Sequence, residues 1–480
     1  MENSNSGITL TAQNTGAQNQ EPAQVLSGVD VQTSNVYVGN AEYEEYLPED
    51  VVNVTIGVFF DGTMNNRKNV NSRLEHEKAE RNEPHRADVA AKYREGTGSY
   101  ENDHSNVSRM EPFYEKIDNE NLKQFSIYIE GIGTEDYEGD SKIGGGLGTG
   151  STGVKAKVYK GCEKVAETVG EEGIEKINIL TIDVFGFSRG AAAARHFIYE
   201  IHHREGDLKE VIPPAGPGGM PTNIYYEVDR GRLGEHLQRN GIKVKMLQVR
   251  FTGLYDTVAS YGVAHYNDTQ DLGLDAVRRS RYTLQLAAAD EHRNNFRLTN
   301  INSTGGRGLE KTLPGVHSDI GGCYVDNADE DIWVDYSLIS LSKLREERQR
   351  LIDEGWYRPA EITVNSFTGV LRGWRRGLSN KYSFIPLQIM VEYALEKRVN
   401  FELDLLSRQY SIINELTHVK ARLDSYVKGN APEMAYDNPE DHEVLKELRN
   451  RYLHFSAHYD GIGMGPNREN GIRQRVIQNG

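Results

Sequence analysis

The chain has 480 residues, of which 37% are hydrophobic and 26% are charged. This length predicts two to four domains or one large α/β domain with insertions, and the composition excludes collagen-like, coiled-coil and disulfide-scaffold proteins. The net charge of −16 opposes binding to nucleic acid and steady binding to an anionic membrane, because both need basic residues. Cys162 and Cys323 lack metal-site spacing; two buried thiols are favoured over a disulfide, and we expect no metal and no cofactor.

The N-terminal part of the chain differs in composition from the rest. Residues 1–47 are rich in Asn, Gln, Ser, Thr and Gly, which predicts a disordered polar tail. The first residues lack the basic and apolar segments of a signal peptide, and no apolar run reaches the roughly 18–20 residues that span a bilayer. We therefore expect synthesis in the cytoplasm and, for an exported protein, a route without a cleaved signal.

Predicted strands and helices alternate between residues 51 and 251. The strands are predicted at 51–60, 125–129, 177–185 and 244–251, and the helices at 155–170 and from Arg189 onward. The third strand is nearly continuous in apolar residues, as in strands that are buried on both faces. The alternation predicts an α/β fold with a mostly parallel sheet and helices on both faces.

Two polar or loop-rich segments interrupt this core, at about 64–108 and 205–240. Both are interpreted as insertions on the surface, and the second is the candidate for a lid. Beyond residue 330 the apolar spacing becomes helical, since Leu338, Leu341 and Leu344 recur at intervals of three. The predicted organisation is a tail at 1–47, a core domain at 48–330 and a helical C-terminal region packed on it at 331–480.

The pattern G-x-S-x-G occurs at residues 186–190, between the third predicted strand and a helix. This context is that of the nucleophile elbow in α/β-hydrolases, which predicts an α/β-hydrolase-like core with Ser188 as the nucleophile. The turn strains the serine backbone, and Gly186 and Gly190 avoid the clashes that a Cβ would cause. The hydroxyl would lie at the N-terminus of a helix, where developing negative charge is stabilised. The alternative interpretation is a tight turn with an ordinary serine.

A serine hydroxyl needs a base to become a good nucleophile, and in α/β-hydrolases the acid and then the base follow the serine along the chain. His317 lies in a glycine-dense loop with apolar flanks and is the candidate base. Asp256 directly follows the fourth predicted strand and is the candidate acid, with a turn or N-cap aspartate as the alternative. Asp319 is the second candidate acid, but we expect it to hold the loop by local hydrogen bonds.

The remaining histidines are weaker candidates for the catalytic base. His202, His203 and His292 lie among charged residues and are predicted to be solvated. His454 and His458 follow apolar or aromatic residues and could be buried or line a pocket.

An acyl-transfer site also needs two donors for the oxyanion. The first predicted donor is the backbone N–H of Arg189, which follows the nucleophile. The second is predicted at Gly62 or Thr63, after the first strand, provided that this strand lies beside the nucleophile strand, and Asp61 would brace that turn. Asp-Gly-Thr after an apolar strand also resembles a phosphatase loop, but the usual second aspartate is replaced by Thr63.

Taken together, the motifs resemble the α/β-hydrolase domain of type VI secretion lipase effectors of the first Tle subfamily, and the wider domain family of unknown function around it. The matching stretches are residues 57–63, 186–191, 255–258, 288–293, 314–322 and 449–456. Each is short, but they occur in order over most of the chain. The polar tail and residues 64–108 have no counterpart that we can match.

The resemblance implies an antibacterial phospholipase A that cleaves acyl esters of membrane glycerophospholipids. The nucleophile, acid and base of the family fall on Ser188, Asp256 and His317. Such effectors are delivered into a rival cell on a secretion spike protein, sometimes with an adaptor, and an immunity protein protects the producer. The resemblance therefore implies action at the target membrane from the periplasm, without nucleic acid as a partner.

Three other functions stay open from the sequence alone. A soluble carboxylester hydrolase would use the same residues on short-chain esters. A non-catalytic module carried on the secretion spike would not depend on Ser188. A phosphotransferase built on Asp61 is a third and weaker alternative.

Overall fold

The computed structural model describes residues 52–141, 150–202, 207–211, 225–229, 231–259, 272–461 and 463–480, without the side chains of 207–211 and 225–229. The tail predicted at 1–47 lies outside the described residues. So does much of the candidate lid.

The bounds of the elements are as follows. The strands are β1 (Val52–Phe60), β2 (Ile117–Asp118), β3 (Leu122–Ile129), β4 (Lys176–Phe187), β5 (Asp207–Val211), β6 (Tyr225–Asp229), β7 (Lys243–Tyr255), β8 (Ser280–Ala288), β9 (Leu298–Thr299), β10 (Gly308–Leu313), β11 (Ala328–Tyr336), β12 (Ile362–Asn365), β13 (Val370–Leu378), β14 (Arg468–Glu469), β15 (Ile472–Arg473) and β16 (Ile477–Gln478). The α-helices are α1 (Arg67–Glu80), α2 (Ala87–Ala90), α3 (Gly98–Glu101), α4 (Asn106–Met110), α5 (Val154–Glu171), α6 (Arg189–Glu200), α7 (Gly231–Arg239), α8 (His317–Gly321), α9 (Leu341–Asp353), α10 (Phe384–Glu396), α11 (Leu403–Gln409), α12 (Thr417–Val427) and α13 (Pro439–Arg451).

A seven-stranded sheet forms the centre of the molecule, in the order β10-β8-β7-β4-β1-β3-β2. Its strands are parallel, except for the short edge strand β2. The four strands predicted from the sequence correspond to β1, β3, β4 and β7, and β1 lies beside β4 as the oxyanion argument required. The prediction of an α/β fold with a mostly parallel sheet is therefore confirmed.

The two faces of the sheet bury two separate hydrophobic cores. On one face, Val58 and Val184 pack with helices α5 and α6. On the other face, the neighbouring residues Phe59 and Phe185 pack with the C-terminal region. This alternation follows from the two-residue period of a strand, which sends successive side chains to opposite faces.

Helix α7 belongs to the first of these cores, since it packs against α5 and buries Leu233 and Leu237. The last part of the candidate lid at 205–240 thus packs on the core, and the lid itself stays a prediction. The hydrophobic spacing of this helix serves packing. Within the segment, β5 and β6 form an antiparallel pair.

The C-terminal region is largely helical, as predicted, but it also contains an antiparallel sheet in the order β11-β13-β12. Sequence analysis missed this sheet because its strands are interrupted by charged residues. In β11 only Ile332 and Val334 are buried. Leu338 is 84% exposed ahead of α9 and is not part of the helical face that its spacing suggested.

Residues 64–108 form helices α1 to α3 and most of α4, and their middle is exposed between residues 81 and 88. Their two ends are not on the surface: Asn65, Asn66 and the start of α4 are buried. The interpretation of this segment as a surface insertion is therefore wrong at both ends, where it packs beside the site described below.

The final residues, 465–480, make backbone hydrogen bonds with residues 292–303 and are called the C-terminal strap. Its strand β16 pairs in parallel with β9, and the Asn467 N–H donates to the His292 carbonyl at 2.7 Å. Among the residues that the structure describes, no helix combines the length and apolar character needed to cross a bilayer.

Candidate active site

Ser188 lies in a strained turn between β4 and α6. Its φ of 59° and ψ of −128° fall in a region that non-glycine residues rarely adopt, so the surrounding packing must hold it there. The Ser188 N–H donates to the Tyr255 carbonyl at 3.0 Å, which ties the turn to the end of β7. This is the local geometry of a nucleophile elbow.

The two glycines of the motif are required by close backbone contacts. A Cβ on Gly190 would lie 2.2 Å from the Asp61 carbonyl oxygen, and one on Gly186 would lie 2.5 Å from the Gly190 carbonyl oxygen. Both contacts are with backbone, which cannot move aside as a flexible side chain can. The turn can therefore form only with glycine at both positions.

Asp256 follows Tyr255 directly and also has a positive φ, of 46°. Its Oδ2 is 2.5 Å from His317 Nδ1, and its Oδ1 accepts the Ala288 N–H at 2.8 Å. Asp256 is fully buried and His317 is 4% exposed. The structure thus brings together the aspartate and the histidine that the sequence analysis selected, 61 residues apart in the chain.

The imidazole of His317 lies next to the serine turn. Its ring packs on Phe187, the residue before Ser188, with ring centroids 4.6 Å apart, and Phe296 meets it edge-on at 5.0 Å. Ser188, Asp256 and His317 follow the carboxyl ends of β4, β7 and β10, at one edge of the sheet. In open parallel sheets this edge is where ligands bind.

Burial and neighbouring charges shift the pKa values of both His317 and Asp256. Burial lowers the pKa of His317 from its usual 6.5, although Asp256 opposes this shift. Burial would raise the pKa of Asp256, but Arg475 and His317 outweigh it and hold that pKa below its usual value. At neutral pH the pair is therefore an ionised carboxylate beside a neutral imidazole.

Arg475, in the C-terminal strap, contacts both oxygens of Asp256. Its Nη1 donates to Oδ1 at 2.6 Å and its Nη2 to Oδ2 at 2.8 Å. Sequence analysis missed this residue, because it lies 219 positions from Asp256 in a polar segment without a motif. No local signal in the sequence could have indicated the contact.

Two acidic residues hold the loop that carries His317. Asp290 Oδ2 accepts the Gly315 N–H at 2.8 Å, and Glu291 Oε2 accepts the His317 N–H at 3.3 Å. Glu291 is fully buried, and Arg293 keeps its pKa far below the usual value despite that burial. The stretch 288–293, which was picked out by resemblance without a role, anchors the histidine loop.

The Asp61 carboxylate braces the turn after β1. It accepts hydrogen bonds from Ser105 Oγ at 2.6 Å, Tyr128 OH at 2.5 Å and the Gly62 N–H at 2.7 Å. Burial raises its pKa, against these three donors and Arg67. A carboxylate that is 1% exposed and engaged on both oxygens suits a brace better than a phosphotransferase nucleophile.

The turn that carries Gly62 and Thr63 lies close to the serine turn, since a Cβ on Gly62 would be 2.5 Å from the Phe187 ring. The Gly62 N–H is engaged by Asp61, which leaves it less available for an oxyanion. In the part of the chain that the structure describes, the buried hydroxyl oxygen of Thr63 has no hydrogen-bond partner. Helix α6 begins at Arg189, so the N–H groups of its first turn point toward the serine side.

Asp319 does hold its loop locally, since its Oδ2 accepts the Val316 N–H at 2.9 Å. It also pairs with a second histidine, as Oδ1 lies 2.8 Å from His454 Nδ1. His454 is thus buried, one of the two options that the sequence left open.

His202 is buried rather than solvated, and burial lowers its pKa to about 4. His292 is half-buried, and His203 lies outside the described residues. Cys162 and Cys323 are both free thiols. Over the described ranges, no group of three or more His, Cys, Asp or Glu side chains is arranged to hold a metal ion.

Comparison with known proteins finds a matching family model and similar solved structures. The catalytic-domain model of Tle1-like phospholipase effectors of the type VI secretion system matches residues 225–346, which include Asp256 and His317. A solved structure of the Tle1 effector bound to the VgrG spike of that system aligns at a TM-score of 0.59 and 21% identity. The alignment covers 92% of this chain and 100% of that chain.

A crystal structure of an uncharacterized protein from Pseudomonas aeruginosa covers 82% of this chain and 52% of its own, at 18% identity and a TM-score of 0.39, too low to carry an argument. No curated protein sequence matches the chain. The match to Tle1 shows a shared fold. The resemblance to Tle1-type phospholipase effectors of the type VI secretion system is therefore confirmed, in sequence over residues 225–346 and in fold over most of the chain.

Proposed function

We propose that this chain is an antibacterial type VI secretion effector with phospholipase A activity, a serine esterase that hydrolyses acyl esters of membrane glycerophospholipids. The observation that carries the proposal is the strained Ser188 turn beside the buried Asp256–His317 pair. A strained serine, an oriented neutral imidazole and a helix N-terminus are the parts that acyl transfer needs.

In the first step, His317 acts as the general base. Because Nδ1 carries the proton that faces Asp256, Nε2 is the nitrogen left to accept the Ser188 proton. The Ser188 oxygen then forms a bond to the acyl carbonyl carbon, and the carbonyl electrons move onto oxygen. Asp256 stabilises the imidazolium that results.

The oxyanion of the tetrahedral intermediate is held by the N–H of Arg189 and by a donor from Gly62 or Thr63. The Thr63 hydroxyl is the better of these two, because the Gly62 N–H is engaged by Asp61. The positive end of the α6 dipole adds to this stabilisation.

Collapse of the intermediate breaks the ester bond to the glycerol oxygen, and His317 returns its proton to that oxygen, so that lysophospholipid leaves. Water then attacks the acyl-enzyme with His317 again as base. This step releases the fatty acid and restores Ser188. The cycle needs no metal and no cofactor.

The same proposal includes the partners and the place of action. The Tle1 effector in the matched structure is bound to the VgrG spike. By analogy, this chain would travel on a spike protein, with or without an adaptor, and act on the target membrane from the periplasm. An immunity protein would then protect the producing cell.

The test is release of fatty acid from phosphatidylethanolamine vesicles by the wild type and by Ser188→Ala. Loss of a triad nucleophile is expected to cost about 10⁶-fold in kcat. Ser342→Ala is the matched control, because Ser342 is exposed on helix α9, and it should keep full activity.

Three other outcomes would count against the proposal. Unchanged lipolysis by Ser188→Ala would overturn the serine mechanism. Ser188-dependent cleavage of short soluble esters, without lipolysis, would favour a carboxylester hydrolase. Failure of a serine-directed phosphonate to label Ser188 would favour a non-catalytic module on the spike.

A further inference from the structure

The Arg475 guanidinium is held at four points beside the proposed triad. In addition to its two bonds with Asp256, Nη1 donates to the Ala288 carbonyl at 2.9 Å and Nη2 to the Phe296 carbonyl at 3.1 Å. Its side chain is 7% exposed. A buried, planar and multiply bonded guanidinium has little freedom, so its position is defined as well as that of the carboxylate.

Arg475 fixes the plane of the Asp256 carboxyl group. Without it, Oδ1 would keep only the Ala288 N–H and Oδ2 only the His317 ring. A carboxylate with one partner on each oxygen can rotate more freely. The fork of an arginine, with one N–H on each oxygen, opposes this rotation.

The C-terminal strap is anchored on both sides of Arg475. Before it, Arg473 donates from Nε to Glu347 at 3.1 Å. After it, the Val476 carbonyl accepts the Leu298 N–H at 2.9 Å, and β16 pairs with β9. The arginine is therefore delivered to the site by a fastened segment.

We propose that Arg475 is a positioning residue for the proposed triad: the C-terminal strap completes the active site by clamping the Asp256 carboxylate in the orientation that holds His317. This inference rests on the proposed function, since it concerns the same three residues. It assigns a role to the last residues of the chain, which lie outside the family match at 225–346.

The charges around His317 give the clamp a second consequence. Asp256 and Glu291 act on the imidazole as anions, and Arg293 acts on it as a cation. Arg475 is a second cation, which acts on Asp256. Two carboxylates are thus balanced by two guanidiniums. Removing Arg475 leaves an excess of negative charge, which raises the pKa of His317 and keeps the base protonated to higher pH.

The test compares Arg475→Met, Arg475→Lys and wild type in ester hydrolysis across the acid range. We expect Arg475→Met to lower kcat by about 10- to 100-fold at little change in KM, because the base is misoriented. Its acid limb should move to higher pH. Arg475→Lys keeps the charge without the fork, so its acid limb should stay near that of the wild type while kcat recovers only in part.

Arg250→Met is the matched control, since Arg250 also bonds both oxygens of a buried aspartate, Asp183, but lies in β7, outside the C-terminal strap and the proposed triad. It should lower the Tm without shifting the pH profile. The clamp is refuted by an Arg475→Met enzyme with wild-type kcat and pH profile, or by an Arg250→Met enzyme with the same kinetic changes as Arg475→Met.

A readout that does not depend on turnover separates this inference from the proposed function. The pKa of His317 can be followed by NMR in protein with isotope-labelled histidine. An upward shift in Arg475→Met supports the clamp, even in a preparation that shows no lipolysis. An unchanged pKa in folded Arg475→Met overturns it, whatever the activity of the wild type.

Discussion

Among the residues that the structure describes, Asp256–His317 and Asp319–His454 are two buried aspartate–histidine pairs, and the first of them lies beside the proposed nucleophile. The Asp256–His317 pair is joined at 2.5 Å and the Asp319–His454 pair at 2.8 Å, both through histidine Nδ1. All four residues are at most 7% exposed. Distance and burial alone do not distinguish the two pairs.

The pairs differ in the charge that each carboxylate meets. Asp256 is bonded by Arg475, and its pKa is lowered against the effect of burial. Asp319 accepts the backbone N–H groups of Val316 and His454, and burial raises its pKa. The first carboxylate is kept ionised by a guanidinium, whereas the second serves as a backbone anchor.

The pairs also differ in what the histidine faces. His317 packs on Phe187, beside the strained serine. His454 stacks on Tyr324 with ring centroids 3.6 Å apart, and its buried Nε2 has no hydrogen-bond partner among the described residues. The comparison teaches that an aspartate–histidine pair indicates a catalytic site only together with a nucleophile.

The largest expected difference between the pairs is in kcat, when each histidine is replaced by asparagine in turn. His317→Asn should lower kcat for ester hydrolysis by about 10⁴- to 10⁶-fold, because the base is lost. His454→Asn should keep kcat within about tenfold, since no triad member is removed. The measurement is kcat for both variants beside wild type, and equal losses would break the distinction.

Replacing the two aspartates should also lower kcat more at Asp256 than at Asp319, but the difference in kcat should be smaller than for the histidines. Asp256→Asn should lower kcat by about 10⁴-fold, because an amide no longer fixes the imidazole tautomer. Asp319→Asn should instead lower the free energy of unfolding by about 1–3 kcal/mol, because buried donors lose part of their acceptor. Urea unfolding and kcat measured on both variants would check this, and a larger loss of kcat in Asp319→Asn would contradict it.

The smallest expected effect is in the pH dependence. His317 must be neutral to accept the Ser188 proton, and burial lowers its pKa from 6.5. Activity should therefore be retained as the pH falls through 6.5 and be lost only below it. The acid limb of kcat/KM for a soluble ester measures this pKa, and a limb centred above pH 6.5 would show that the pull of Asp256 outweighs burial.

The parallel core was accessible from the sequence because its elements follow local rules. The apolar runs of β1, β3, β4 and β7 are strands that the interior of a sheet buries on both faces. By contrast, the strands of the C-terminal sheet contain many charged residues and few buried ones. Their sequence therefore does not show the apolar pattern of a strand, and the region was predicted to be helical. Local periodicity thus indicated the central sheet and missed the outer one.

For the candidate site, the sequence by itself determined the residues whose chemistry depends on their immediate neighbours. The glycines around Ser188 are dictated by contacts within the turn and with the adjacent strand end. Asp256 and His317 could be selected because each follows a strand or lies in a glycine-rich loop. These signals extend over a few residues and can be read in the chain.

Only the tertiary structure decided which carboxylate is paired with which base and what balances its charge. The contact of Arg475 with Asp256 joins residues 219 positions apart, and that of Asp319 with His454 joins residues 135 apart. Electrostatic interactions depend on distance in space and on burial, neither of which a local pattern contains. For that reason the sequence could name the candidate triad, but the arginine that clamps it became visible only in the folded chain.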